Sequence, residues 1–185
     1  MKYLQSIGFF YIKFFYKIKK RSRKEILKMH YFEKIRQKIG HEPLFSPGAS
    51  IIVYENNKYL LQFRNDFKIW GLHGGAMDLG ETGEQTALRE LKEETNLKAL
   101  EMNFFKTYSG EKFKIIYPNN DVIYPVVLAF VVTKTEGRIR SQKSEVQSLK
   151  WFEEKDLPIE QMMEIDKCFL KDFIEKKNQK NNFKE

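Results

Sequence analysis

Residues 75–97 read GAMDLGETGEQTALRELKEETNL, and this stretch decides the fold. Its body, EQTALRELKEET, has no glycine or proline and is rich in good helix formers. This predicts a helix that Thr82 caps and that Asn96 ends. Three acidic residues fall within an arc of about 100° on this helix: Glu90, Glu93 and Glu94.

The acidic flank is expected to border a buried flank that carries Leu88, Leu91 and Thr95. Two like charges ~4 Å apart cost about 1 kcal/mol in bulk water and about 4 kcal/mol at an effective dielectric of 20. Acids at the edge of a core therefore favour a bound cation. All-oxygen ligands suit the hard ions Mg²⁺ and Mn²⁺, which also bind phosphate oxygens. A solvated acidic face without a ligand is the simpler alternative.

The spacing of the fixed residues resembles the Nudix box of the MutT-like hydrolases. That pattern requires glycine, x5, Glu, x7, Arg-Glu, an aliphatic residue, x, Glu-Glu, x, glycine and an aliphatic residue. The positions that comply are Gly75, Glu81, Arg89, Glu90, Leu91, Glu93, Glu94 and Leu97. Asn96 departs from the pattern, but asparagine is the next best residue for a left-handed position past a helix end.

The resemblance covers about residues 40–158 and implies metal-dependent hydrolysis of a pyrophosphate bond. The substrate would be a nucleoside diphosphate linked to another group, either a nucleotide sugar such as ADP-ribose or a nucleoside triphosphate. A non-catalytic nucleotide sensor on the Nudix fold is an alternative, although the retained acids argue against it. A proline or tyrosine marks some subfamilies shortly past the box, and it is absent or displaced here. Candidates for stacking on a base are Phe45, Phe67, Tyr108, Tyr117 and Tyr124.

The same resemblance implies roles for residues of the box. Gly75 would supply a carbonyl ligand, and Glu93 and Glu94 would bind Mg²⁺ (or Mn²⁺). Glu90 would either bind metal or deprotonate the attacking water, and Glu93 is the other candidate for the base. Arg89 is expected to orient a carboxylate, since its i+4 partner is Glu93 and a planar guanidinium fixes such a group.

Five further residues complete the predicted site. Glu81 is expected to anchor the junction between loop and helix. Glu145 is a candidate for one more metal ligand, with an exposed loop acid as the alternative. Arg64 is placed to meet a phosphate or sugar of the substrate, or else forms a surface salt bridge. His73 stands where the family has proline and either packs structurally or meets phosphate, while Gly74 allows close backbone approach.

The positive charge of the chain is concentrated at its N-terminus. The net charge is +8, and residues 1–28 hold nine Lys or Arg and one acid, so that 24 basic and 24 acidic side chains remain elsewhere. This basic aromatic extension is no convincing signal peptide and is too charged to span a membrane. It is disordered, associates with a membrane surface or nucleic acid, or precedes a true start at Met29. A function carried by this tail at a membrane surface is therefore a second alternative.

The rest of the chain predicts one domain. We expect a Nudix hydrolase domain over residues 29–178 and a frayed tail over residues 179–185. The single Cys168 excludes an intrachain disulfide and fits a reducing compartment, so a cytoplasmic protein is expected. The expected partner is a small-molecule nucleotide substrate, and a nucleic acid is the less favoured partner. A membrane surface, through residues 1–28, and a homodimer stay open.

Outside the box the pattern predicts helices on both sides of a mixed sheet, the α/β/α Nudix sandwich. One helix is expected over residues 30–39 and another after Pro158, with a turn-rich segment from Gly40 to Pro47. A hairpin should turn at Asn56-Asn57. Strands are expected at residues 50–55, 58–64, 103–110, 112–118, 122–132 and 148–154.

Overall fold

A computed structural model describes residues 31–117, 119–141 and 146–182. The expectations for residues 1–28 and for Glu145 fall outside these ranges. The α-helices are α1 (Tyr31–Ile39), α2 (Gly83–Thr95) and α3 (Glu164–Asn182). The strands are β1 (Leu44–Glu55), β2 (Lys58–Arg64), β3 (Trp70–Gly71), β4 (His73–Ala76), β5 (Lys98–Ser109), β6 (Ile115–Ile116), β7 (Val122–Glu136) and β8 (Val146–Glu153).

Strand β1 is the centre of a mixed sheet with the order β3-β2-β1-β7-β5. It runs parallel to β7 from Leu44 to Val53. It pairs antiparallel with β4 over residues 48–51 and with β2 over residues 53–55. Because β1 pairs first with β4 and then, further along, with β2, these two strands diverge beside it. The functional site is built around this divergence.

Helices cover both faces of the sheet. On one face α2 packs through Leu91, and on the other α3 packs through Phe169 and Leu170. Alternation along β1 serves both layers, since Ile51 and Ile52 are fully buried in the two opposite clusters. This layering confirms the predicted α/β/α sandwich with a mixed sheet. Within the described ranges, no helix is long and apolar enough to cross a membrane.

The hairpin between β1 and β2 turns at Asn56-Asn57 as predicted. Both asparagines have positive φ, 52° and 59°, the conformation that a two-residue hairpin with a matching twist requires. The turn-rich segment begins at Gly40 as predicted but was wrong in its expected end at Pro47, because β1 already begins at Leu44. Its pairing with β7 draws these residues into the sheet, and such a long-range contact leaves no local signal.

Two other strand predictions also need correction. Among the described residues of the segment 112–118, only Ile115–Ile116 is strand, because a 3-10 turn at Glu111–Phe113 precedes it and buries Phe113. The strand expected over residues 122–132 is longer, since β7 continues through Glu136 and only Gly137 has the positive φ of 116°. The last helix extends to Asn182, beyond the predicted start of the frayed tail.

Candidate functional site

Helix α2 has the two ends that the sequence predicts. The hydroxyl of Thr82 accepts a hydrogen bond from the Gln85 N–H at 3.2 Å, while the Gln85 side chain accepts one from the Thr82 N–H at 2.8 Å. This capping box satisfies two backbone donors at the N-terminus. At the other end Asn96 adopts the left-handed conformation with φ 63°, and its N–H donates to the carbonyl of Lys92.

The buried arc of α2 carries acids as well as apolar residues. Its buried members are Thr86, Ala87, Glu90, Leu91, Glu94 and Thr95. The expectation that Leu88 packs into the core was wrong, because this side chain is 42 % exposed. The arc is centred on Ala87 and Glu94, and Leu88 lies just beyond its edge at Thr95, on the solvent side. Glu90 and Glu94 therefore lie inside the protein rather than beside its core.

Glu94 is 4 % exposed and accepts hydrogen bonds from the sheet. The Gln62 amide donates to Oε1 at 2.8 Å, and the Gly74 N–H donates to Oε2 at 3.1 Å. The His73 Nδ1 lies 3.1 Å from the same Oε2. The donors come from β2 and β4, the two strands that diverge beside β1. A buried carboxylate is stable only when it is satisfied in this way.

Glu90 is 8 % exposed and lies against the backbone of Gly75. Its Oε1 accepts a hydrogen bond from Arg89 Nη1 at 2.6 Å. Burial and then the nearby negative charge of Glu94 raise the pKa of Glu90 to about 7, although Arg89 opposes this shift. Glu90 thus provides a buried carboxyl group that changes its protonation state near neutral pH.

Arg89 joins the helix, the preceding loop and β4. Its Nε and Nη2 donate to the two oxygens of Glu81 at 2.7 and 2.9 Å, and Nη2 also donates to the carbonyl of Ala76. The predicted partner Glu93 lies farther away, at 3.4 Å from Nη1. The hydrogen bond from Arg89 lowers the pKa of Glu81 to about 2. Glu81 also accepts bonds from the Asp78 N–H and the Thr86 hydroxyl, at the junction of loop and helix.

The paired glycines of β4 fit where a side chain would not. Gly74 has φ 142°, and a Cβ there would collide with the carbonyl oxygen of Ala49. A Cβ on Gly75 would lie 2.5 Å from Glu90 Oε1, whereas the carbonyl oxygen of Gly75 approaches Gly48 of β1. The Cα of Gly75 therefore faces the acid. Its role as a carbonyl ligand stays a prediction.

The remaining predicted residues are distributed around this centre. The His73 side chain is fully buried and faces Glu94, which favours its structural role over contact with phosphate. Arg64 makes a two-point ion pair with Asp66 at 3.0 and 2.7 Å, the salt bridge that the sequence left open. Tyr108 is buried and donates to Asp172, so it packs structurally.

The other aromatic candidates form two pairs. Phe45 is 73 % exposed and lies 5.8 Å from Tyr124, measured between ring centroids. Phe67 and Tyr117 lie 5.1 Å apart. Of the two pairs, the first offers the more accessible ring for stacking.

Sequence reasoning missed two polar residues of the site. Gln62 interrupts the apolar strand YLLQF, a local signal that was available, and its amide also donates to the carbonyl of Leu72 at 2.8 Å. Asp166, from α3, accepts the Leu72 N–H at 3.0 Å from the opposite face. Burial raises the pKa of Asp166. Its position in an ordinary amphipathic helix gave no such signal.

The acids of α2 do not converge on a single point. Among the described residues, no group of three or more His, Cys, Asp or Glu side chains is arranged to hold a metal ion. Glu94 faces its three donors, Glu90 faces Gly75 and Arg89, and the side chain of Glu93 is 43 % exposed. Metal binding by these acids therefore stays a prediction.

Comparisons with known proteins agree with this geometry. The NUDIX domain model matches residues 44–173. The chain is 32 % identical over 117 residues to a putative 8-oxo-dGTP diphosphatase of Bacillus subtilis, covering 63 % of this chain and 72 % of that protein. It is 27 % identical over 120 residues to the NAD-capped RNA hydrolase NudC of Vibrio atlanticus, covering 64 % of this chain. It spans only 41 % of the length of that relative.

The fold has solved counterparts as well. The crystal structure of a MutT NUDIX hydrolase from Burkholderia pseudomallei superposes with a TM-score of 0.60 at 21 % identity, covering 69 % of this chain and 97 % of that one. The fold and the glycine-loop-helix site define a hydrolase of the MutT-like type. The chain belongs to the Nudix family. The predicted enzyme class, a Nudix pyrophosphohydrolase, is confirmed.

Proposed function

We propose that the chain is a metal-dependent enzyme that hydrolyses a pyrophosphate bond in a nucleoside diphosphate linked to another group, with Mg²⁺ or Mn²⁺ as its cofactor. The observation that carries this proposal is the position of Glu90. Its carboxylate is buried beside a second buried carboxylate, Glu94, and both lie next to the glycines of β4. Perturbed titratable groups of this kind are typical of catalytic sites.

The residues present fit a hard divalent cation in their chemistry. Burial first, and then the negative charge of Glu94, raises the pKa of Glu90, and a cation bound there would offset both effects. A carboxylate has about four lone-pair sites, and Glu94 uses three of them. One site stays free for a cation. Glu90, Glu93 and Glu94 would hold the ion, with the Gly75 carbonyl and Glu145 as further candidates.

When bound, the cation would polarise the phosphoryl oxygens and lower the pKa of water. The chain itself would take the proton. As the water oxygen forms a bond to phosphorus, the bridging P–O bond breaks, and its electron pair leaves with the departing phosphate. The proton of the water passes to an oxygen of Glu90 or Glu93.

Glu90 is the better placed of the two bases. A pKa of about 7 suits a general base at neutral pH, because about half of the Glu90 carboxyl groups are deprotonated there and can accept a proton. Arg89 holds Oε1 of Glu90 at 2.6 Å, which limits the orientations of the carboxylate. Glu93 is more exposed and less constrained. The exposed position of Glu93 suits a side chain that joins the metal site only when the substrate is bound.

A nucleoside triphosphate is the substrate class that we favour. The Bacillus relative is named for 8-oxo-dGTP, and the chain covers more of that protein than of the NudC relative. Phe45 and Ala49 share one face of β1, and Ala49 pairs with Gly75. Four residues of strand place the exposed ring of Phe45 roughly 13 Å from that pair. A base stacked on Phe45 would leave its phosphates within reach of Glu90.

The test is a hydrolysis screen with Mg²⁺ and with Mn²⁺, in which a pyrophosphatase and a phosphatase convert the products to free phosphate for detection. Its substrates are the nucleoside triphosphates, 8-oxo-dGTP, ADP-ribose and NAD. Glu93→Gln should lower turnover by at least ~10²-fold on the active substrate. Glu84→Gln, an exposed change on the same helix, is the matched control and should retain the rate. If the protein binds a nucleotide but hydrolyses none of these substrates, the chain is a nucleotide sensor and not an enzyme.

A further inference from the structure

His73 is a buried polar residue whose ring connects β4 to the acids of α2. Its side chain is 0 % exposed, and its Nδ1 lies 3.1 Å from Glu94 Oε2. Because an ionised carboxylate only accepts hydrogen bonds, Nδ1 carries the hydrogen and donates it. The ring is therefore a third donor to Glu94, beside the Gln62 amide and the Gly74 N–H.

The other ring nitrogen of His73 is buried without a partner among the described residues. An unsatisfied buried polar atom is unfavourable, and an apolar side chain at this position would avoid it. The hydrogen bond from Nδ1 to Glu94 is the interaction that offsets this cost. Packing alone therefore does not account for a histidine here.

Two of the three donors are held by the fold itself. Gly74 is held by the pairing of β4 with β1, and the Gln62 amide is held by its second bond to the Leu72 carbonyl. Oε2 of Glu94 takes two of the three bonds, from His73 and Gly74. Without His73, Oε2 would keep one bond, and two donors instead of three would constrain the terminal torsion of the carboxylate.

We propose that His73 is a positioning residue that fixes the Glu94 carboxylate in the orientation in which it takes up a divalent cation. This inference rests on the proposed function, since it concerns the same metal site. Groups that hydrogen-bond a metal ligand orient it, and their loss typically costs 10–100-fold in metal affinity. His73 thus acts on the metal ion through Glu94, without touching the substrate.

Two amide substitutions separate positioning from packing. The amide nitrogen of asparagine falls close to the place of Nδ1, so His73→Asn keeps a donor for Glu94. The amide of glutamine extends to the place of Nε2, so His73→Gln keeps the polarity but moves the donor away. His73→Leu removes both. His41→Asn is the control, because His41 is an exposed histidine that pairs with Asp121.

The readout is Mn²⁺ binding, titrated by electron paramagnetic resonance on the full chain, with folding checked by circular dichroism. We expect His73→Gln and His73→Leu to weaken Mn²⁺ binding about 10-fold or more, and His73→Asn to weaken it less than about 3-fold. His41→Asn should bind as the wild type does. If the leucine variant does not fold, the comparison of asparagine with glutamine decides alone.

Equal affinity in folded His73→Gln and wild type would overturn the positioning role and leave the proposed function intact. Equal weakening in the asparagine and glutamine variants would also overturn it, because the donor position would then not matter. If the wild type binds no Mn²⁺ at all, the proposed function fails and the inference fails with it. These outcomes are distinguishable in one set of titrations.

Discussion

The carboxylate of Glu90 lies so close to Gly75 that a Cβ on this glycine would come within 2.5 Å of Oε1 and 2.7 Å of Cδ. A real side-chain atom does not approach that closely, so the absence of a side chain at Gly75 sets the position of the acid. Gly75 is not among the residues with positive φ, and its backbone is open to alanine. The demand for glycine here comes from the neighbouring carboxylate.

This contact predicts that Gly75→Ala displaces Glu90 while the fold survives. The tip of a Glu side chain can turn aside, so the melting temperature should fall by only a few degrees. A catalytic group misplaced by about 1 Å can cost ~10²-fold, and we expect a loss of that order in kcat/KM. Hydrolysis and thermal melting of the same preparation measure both effects. A fully active Gly75→Ala enzyme would show that Glu90 does not work from this position.

Glu90→Gln should stabilise the metal-free protein at high pH and abolish its activity. The folded pKa of about 7 exceeds the ordinary 4.5, so the buried carboxyl group favours the folded state while protonated. That contribution is lost as the pH rises from 4.5 through 7, at a cost of up to about 3 kcal/mol by pH 8. Glutamine does not ionise and avoids this cost.

Urea unfolding in EDTA at pH 4.5 and pH 8 measures this effect. The two proteins should unfold at similar urea concentrations at pH 4.5, whereas the variant should be the more stable at pH 8. If the variant is the less stable protein at pH 8, the stabilisation of ionised Glu90 by Arg89 outweighs its destabilisation by burial and by the charge of Glu94.

Glu81→Gln should remove an acid-sensitive part of the stability. The pKa of Glu81 is about 2 in the folded protein against the ordinary 4.5, because Arg89 holds its charged form. A lowered pKa contributes stability above pH 4.5 that is lost as the pH falls towards 2, up to about 3 kcal/mol in total. The difference between wild type and variant in urea unfolding should therefore shrink from pH 7 to pH 2.5.

Glu136→Gln is the matched control for this experiment, since it removes an exposed ion pair with Lys98. Exposed pairs contribute little, so its unfolding midpoint should stay close to that of the wild type at both pH values. A constant difference between wild type and Glu81→Gln across the pH range would assign the effect to lost packing.

Substitutions of Asn96 test the helix end. Glycine suits φ 63° but loses the hydrogen bond from the Asn96 amide to the Arg138 carbonyl, so Asn96→Gly should be nearly neutral. Asn96→Val should cost roughly 1 kcal/mol or more, because a β-branched residue is strained in the left-handed conformation. Thermal unfolding of both variants gives the comparison, and equal stabilities would contradict it.

The sequence predicts those features of the fold whose causes are local. The capping residue Thr82, the left-handed Asn96 and the Asn56-Asn57 turn each follow from the chemistry of one or two residues. The early start of β1 at Leu44 depends on pairing with β7, a strand nearly 80 residues away in the chain. No local pattern reports such a contact.

The same distinction applies to the site. The spacing of Glu90 and Glu94 predicts that they share a flank, but the flank is buried because the diverging strands offer donors to it. Gln62 and His73 become part of the site only through that three-dimensional arrangement. Arg89 shows the reverse case, since its helical neighbour Glu93 is a weaker partner than Glu81, which lies eight residues away.

Residues 1–28 are expected to be dispensable for catalysis. The Tyr31 N–H donates to Asp78 in the loop before α2, and a protein starting at Met29 retains this contact. The deletion removes a charge of +8 but none of the proposed site residues, so kcat on a soluble nucleotide should be unchanged.

Any contribution of the extension should appear instead as salt-sensitive adsorption of the full chain to anionic vesicles. Each basic residue near the surface contributes about 1 kcal/mol, and the attraction falls off within a Debye length. Neutral vesicles are the control and should bind neither protein. If the protein starting at Met29 folds with an unchanged melting temperature yet loses hydrolysis, the extension reaches the active site, and the expected domain boundary at residue 29 is wrong.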